Sequence, residues 1–153
     1  NNLYFKSGIV SEDVEWFMRL VPSLCTILVS NSIAYCYRVR LNSISHSISY
    51  KNINDLFSTI ESYAGELCML SDRETGIGLL NYLAYQYSIV LGYTSKYLIG
   101  VEKQNMLDRC ANYKWIMKYA LNKKTKVCKL LIFIFGLKFT SYILGKYLAS
   151  INR

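Results

Sequence analysis

Apolar positions recur at helical spacing along most of this chain. Ile53, Leu56, Phe57, Ile60, Tyr63, Ala64 and Leu67 fall at the i, i+3, i+4, i+7 intervals that rest one helix face on a core. Asn52 or Asn54 is the expected cap of that helix, which should run to about Leu70. Near the start, Ser11 followed by Glu12 and Asp13 reads as an N-cap with an acidic first turn, and Trp16, Phe17 and Leu20 supply the apolar face. Pro22 either kinks this helix or opens the next. Leu24, Ile27, Leu28, Ile33, Tyr37 and Leu41 fit a further helical stripe. Residues 102–121 turn Met106, Leu107, Cys110, Tyr113, Ile116, Met117 and Ala120 inward, with Lys103, Asp108, Arg109, Lys114 and Lys118 on the polar face.

Residues 75–95 depart from that amphipathic pattern. No charge occurs between Glu74 and Lys96. Leu79, Leu80, Leu83, Tyr87, Val90 and Leu91 line one side, while Tyr82, Tyr85 and Ile89 cover much of the other. A helix apolar nearly all round is buried on all sides, in protein or in lipid. Ser71 and Glu74 stand three apart, as in a capping box, so this central helix is expected over about 72–99, closed by Gly100. Residues 42–50 alternate with period two, but no partner strand is in sight, and a serine-rich loop is expected there. One proline and eight glycines are too few turn formers for an all-β fold.

The pattern therefore gives an all-α bundle around a central hydrophobic helix. Residues 9–126 form the bundle domain, Asn122 to Lys126 make a basic link, and 127–153 form a C-terminal hydrophobic helix. Residues 1–8 resemble a protease-cleavage linker, with Lys6 where such linkers carry Gln, and are set aside from the fold.

Composition narrows the function classes. Apolar residues make up 52% and charged residues 18%, which excludes disorder and hints at a membrane contact or a large apolar binding surface. The net charge of +8 is uneven: five Lys/Arg face six Asp/Glu through residue 70, and thirteen face four beyond it. A basic C-terminal half suits anionic lipid or an acidic partner. Nucleic acid is set aside, because the basic residues form no Arg-rich helix face. Cys25, Cys36, Cys68, Cys110 and Cys128 have no CxxC spacing and read as reduced thiols packed as small hydrophobes.

Three stretches approach spanning length: 20–37, 75–95 and 130–149. The first two carry many Ser, Thr, Asn and Gln side chains and suit burial in protein. The third holds Lys138 near its middle, at an insertion cost of roughly 2.5–3.5 kcal/mol. Lys123, Lys124, Lys126 and Lys129 precede it, and Lys146 and Arg153 lie at its far end. Two readings stay open: a tail anchor inserting Leu130, Leu131, Ile132, Phe133, Ile134 and Phe135, or a terminal helix packed on the core.

Candidate chemistry is sparse. The one histidine, His46, sits between Ser45 and Ser47, and adjacent residues make no triad. Scattered Cys and a single His supply no metal site, and Gly76-Ile77-Gly78 lacks the third glycine and the preceding strand of a phosphate loop. No enzyme, cofactor or metal is expected.

The order of elements resembles the Bcl-2 apoptosis regulators, in particular their divergent poxviral members. The residues that carry the resemblance are Asn52-Ile53-Asn54-Asp55-Leu56-Phe57-Ser58-Thr59-Ile60, then Thr75-Gly76-Ile77-Gly78-Leu79-Leu80-Asn81-Tyr82-Leu83, with a tail from Lys129 to Leu148 similar to their mitochondrial anchors. The family's Asn-Trp-Gly-Arg signature is absent, and Arg73 is the expected substitute for its groove arginine. The resemblance implies an apolar groove that captures death-motif helices of pro-apoptotic Bcl-2 proteins, and a cytosol-facing place on the mitochondrial outer membrane. The groove residues it points to are Phe57, Ile60, Leu67, Met69, Arg73, Gly76, Gly78, Leu79, Tyr82 and Leu83. The bundle should be a monomer or a homodimer. A membrane-shaping or polytopic helical membrane protein, and a structural subunit of a larger complex, are the alternatives.

Overall fold

The computed structural model describes residues 3–33, 35–36 and 48–151. The chain is all-helical: α1 (Glu12–Leu20), α2 (Tyr50–Leu67), α3 (Arg73–Tyr97), α4 (Gly100–Tyr113) and α5 (Lys123–Ile151), with 3-10 turns at Val21–Ser23 and Lys114–Tyr119. The described residues contain no strand. His46 and most of the serine-rich stretch lie outside the described residues.

The central helix is where the pattern put it. Leu83, Ala84, Tyr87, Val90 and Leu91 of α3 are fully buried, and α2, α4, α5 and the second 3-10 turn all pack on it. Tyr87 reaches across the core and donates its hydroxyl to the Cys110 carbonyl at 2.7 Å, so the largest buried ring leaves no orphan oxygen. Burial pushes the Cys110 thiol up to about 12, which keeps it a neutral hydrophobe. Cys110 and Cys128 are buried, whereas Cys25, Cys36 and Cys68 are exposed, so packing as small hydrophobes holds for two of the five.

Caps shift the expected boundaries. Asp72, and not Ser71, caps α3: its carboxylate accepts the Glu74 and Thr75 N–H groups at 3.1 and 3.4 Å. Those bonds, the Thr75 side chain's first, hold the Asp72 carboxyl below its ordinary value. At α2 the N-cap is Ser49, ahead of the expected asparagines. Asn52 serves one turn in, its Oδ1 accepting from the Ser49 N–H and hydroxyl at 3.0 and 2.6 Å. Ser11 precedes α1 at φ 63 and makes no side-chain cap bond. Asn122 accepts from the Thr125 N–H at 2.9 Å and starts α5 at Lys123, so the expected basic link is the helix's first turn.

Three expectations are corrected. Residues 24–33 are irregular and exposed, not helical: Pro22 ends the first helical run in a 3-10 turn, and Ser30 Oγ accepts the Ser32 N–H at 3.1 Å, a local partner that competes with the helical one. The helix expected over 102–121 ends at Tyr113 and tightens into a 3-10 turn. Arg109, placed on a solvated face, instead clamps α4 to α2. Its guanidinium meets both Glu61 carboxylate oxygens at 3.2 and 2.5 Å, donates to Asn54 Oδ1 at 2.7 Å and stacks 5.0 Å over the Phe57 ring. The described part of 1–8 lies along α1: Trp16 Nε1 donates to the Leu3 carbonyl at 2.6 Å, and the Phe5 and Trp16 rings stand 5.4 Å apart.

Candidate functional site

The ten groove residues expected from sequence do not share one surface. Phe57, Ile60, Leu67, Leu79 and Leu83 are core residues, at most 5% exposed. Nothing can dock on them without opening the bundle. Met69 is 85% exposed on the turn after α2. Gly76 admits a close backbone approach, but the approaching backbone is the chain's own: a Cβ there would lie 2.8 Å from the Leu67 carbonyl oxygen. Gly78 faces open space. Leu67, Arg73 and Gly76 meet in a recess of about 470 Å³ at the α2–α3 corner, together with Leu70, Ile77, Leu80 and Tyr119. That recess takes a side chain rather than a helix.

A longer cleft of about 850 Å³ runs beside α3. Tyr82, Gln86, Ile89 and Tyr93 form one wall, and their 4, 3, 4 spacing lines up one stripe along three turns. Leu56 and Asn52 of α2, Ile48, and the segment from Phe5 to Val14 close the other sides. Tyr82 is the one member anticipated from sequence, and the Phe17 ring stands 4.8 Å from its own. Burial raises the Tyr82 and Tyr93 hydroxyls above their ordinary value, so both rings enter the cleft neutral.

The second candidate surface is α5, which inverts the usual rule for a helix on a core. Its buried positions are small or polar: Thr125, Cys128, Thr140, Ser141 and Gly145. Ile132, Leu137 and Leu144 also pack on the core, but most of its large aromatic and aliphatic side chains point away. Phe133 is 87% exposed, and Phe135, Phe139 and Tyr142 form a ladder with ring separations of 5.4 and 6.4 Å. Small residues let α3 and α5 approach closely, since a Cβ on Gly145 would meet Ser95 Cβ at 2.9 Å and the Lys96 nitrogen at 3.2 Å. A small, hydroxyl-bearing seam with large apolar groups outward is how helices pair in lipid. Among the described residues α5 alone is long and apolar enough to cross a membrane, with a mean hydropathy of 1.8. Only 17% of that stretch is buried, unlike a core helix.

Of the six membrane candidates, Leu130, Phe133, Ile134 and Phe135 are exposed, while Leu131 and Ile132 are half-buried. Gly136, at φ 76 and ψ 171, breaks α5 into two shorter helices. Each half falls short of the ~20 residues a crossing requires, so α5 lies bent along the bundle in this structure. Lys138 stays on the protein side, donating to Gln104 Oε1 of α4 at 3.3 Å.

Comparison with family models, curated proteins and solved structures finds no match.

Proposed function

We propose that this chain is a non-enzymatic helix-capture protein held at a membrane by α5. The observation that carries the reading is the stripe of Tyr82, Gln86, Ile89 and Tyr93 on the wall of an open cleft. A helix with apolar side chains at i, i+3, i+4 and i+7 matches that stripe turn for turn. With the resemblance to Bcl-2 proteins, the occupant is a death-motif helix of a pro-apoptotic member, and the outcome is blockade of mitochondrial apoptosis. The cleft replaces the corner around Arg73 as the main site, with the corner recess left for one flanking side chain. The membrane part of the reading rests on the outward apolar face of α5, which suits the outer mitochondrial membrane facing the cytosol.

Titration of labelled death-motif peptides by fluorescence anisotropy tests this. Binding with Kd of about 10 μM or tighter is expected, weakened about tenfold or more by Ile89→Glu. Arg73→Glu should change affinity by a small factor only. No binding by any such peptide at about 100 μM contradicts the reading.

A further inference from the structure

We propose that the notch between the Lys114–Tyr119 turn and the first half of α5 binds an anionic lipid, its headgroup among lysines and its acyl chain against the α5 floor. This rests on the membrane attachment inferred above and adds a ligand class and a site to it.

The notch encloses about 730 Å³. Lys114, Lys118, Lys126 and Lys129 stand around it, and no acidic residue lines it. All four lysines are exposed, and none enters an ion pair among the described residues. Four like charges converging on one site repel, and an anion between them relieves that. Lys126 also lies in the first turn of α5, at the positive end of the helix dipole, with no acidic residue there to offset it. The floor is of the opposite kind: Leu130, Ile132 and Phe133, beside Met117 and the Trp115 ring.

That pairing decides the occupant. A free phosphate would satisfy the lysines and leave Leu130 and Phe133 in water. A neutral apolar chain would do the reverse. A phospholipid with net negative charge meets both, and its chain continues onto the exposed Phe135 and Phe139 of the same helix. Trp115 sits where an amphipathic ring belongs, at the level of the headgroups.

The test is co-sedimentation of the full chain with phosphatidylcholine vesicles, alone or containing phosphatidylserine. Wild type should bind both and prefer the anionic vesicles. A variant carrying K114Q, K118Q, K126Q and K129Q should keep neutral binding and lose the preference, about fivefold for each lysine removed. All four side chains are exposed, so the fold should survive. Leu130→Ser with Phe133→Ser, lysines intact, should also weaken anionic binding. Excess inorganic phosphate should leave wild-type binding in place. Equal binding to both vesicles, an unaltered preference in the lysine variant, no effect of the serine pair, or displacement by phosphate would each overturn the site while leaving membrane attachment standing. Binding to neither vesicle would overturn both, whatever the peptide titration gives.

Discussion

Ser141 on α5 donates its hydroxyl proton to the Leu91 carbonyl oxygen of α3 at 2.6 Å. Ser95, 2.8 Å away, then donates to Ser141, its acceptor lone pairs being still free. Further along, Lys96 Nζ donates to the Leu148 carbonyl at 3.0 Å. These bonds fix the register of α5 on the central helix while leaving its aromatic face outward. The grip on the bundle and the proposed contact with a bilayer therefore fall on opposite sides of one helix.

Gly145→Ala should damage that grip. Its Cβ meets Ser95 and the Lys96 backbone, which cannot rotate aside. The expected loss is about 1–3 kcal/mol of stability by denaturant unfolding, typical of overpacking. Gly78→Ala, where the space is open, should cost far less and serves as the control.

Gly136→Ala should straighten α5. A Cβ finds room there, but the backbone conformation is nearly glycine-only and costs of order 1–3 kcal/mol for another residue. Ala prefers the helical alternative, in which the two halves join into one run of spanning length. The alkali-resistant membrane fraction should rise relative to wild type.

Arg109→Ala should cost about 1–2 kcal/mol, more than a surface ion pair, because the guanidinium bridges Glu61, Asn54 and the Phe57 ring together. Arg109→Lys should recover part of the loss, since a point charge cannot meet both oxygens of Glu61. Thermal unfolding of the three proteins measures the difference.

Acid should loosen the α1–α2 contact first. Arg19, bonded to Glu15 at 2.9 Å through two nitrogens, lowers the Glu15 carboxyl below its ordinary 4.5; burial opposes this, and the Tyr63 hydroxyl at 2.9 Å adds to the lowering. A depressed folded value means that Glu15 stabilises fully above 4.5 and less as pH falls through its folded value. Glu15→Gln should lower stability above 4.5 by that contribution and flatten the profile below it. Burial and the Glu15 bond push Tyr63 in turn up to about 12, so it stays protonated throughout.

Helical periodicity made α2 and α3 legible from the sequence, because a one-sided stripe and an uncharged run each admit one kind of burial. Cap identity was less legible at α3, where Ser71 and Asp72 are both good caps and only geometry chooses the longer carboxylate. Residues 24–33 carry a helical spacing that Pro22 and the Ser30 side chain override. The seam of α5 was hidden for a different reason. Thr140, Ser141 and Gly145 look like the solvent face of an amphipathic helix, and the reading reverses only when lipid, not water, is the outer medium. In the cleft, Tyr82 was anticipated but Gln86, Ile89 and Tyr93 were not, since on a helix apolar all round no one stripe stands out.

The most direct measurement is photo-crosslinking from the cleft wall. Tyr93 is replaced by a photoreactive phenylalanine and the full chain is irradiated with a labelled death-motif peptide, with Met69 substituted in the same way as the control. Crosslinks from position 93 to the apolar stripe of the peptide, and few from position 69, are the predicted result. Crosslinks from position 69 with none from position 93 would contradict capture along α3.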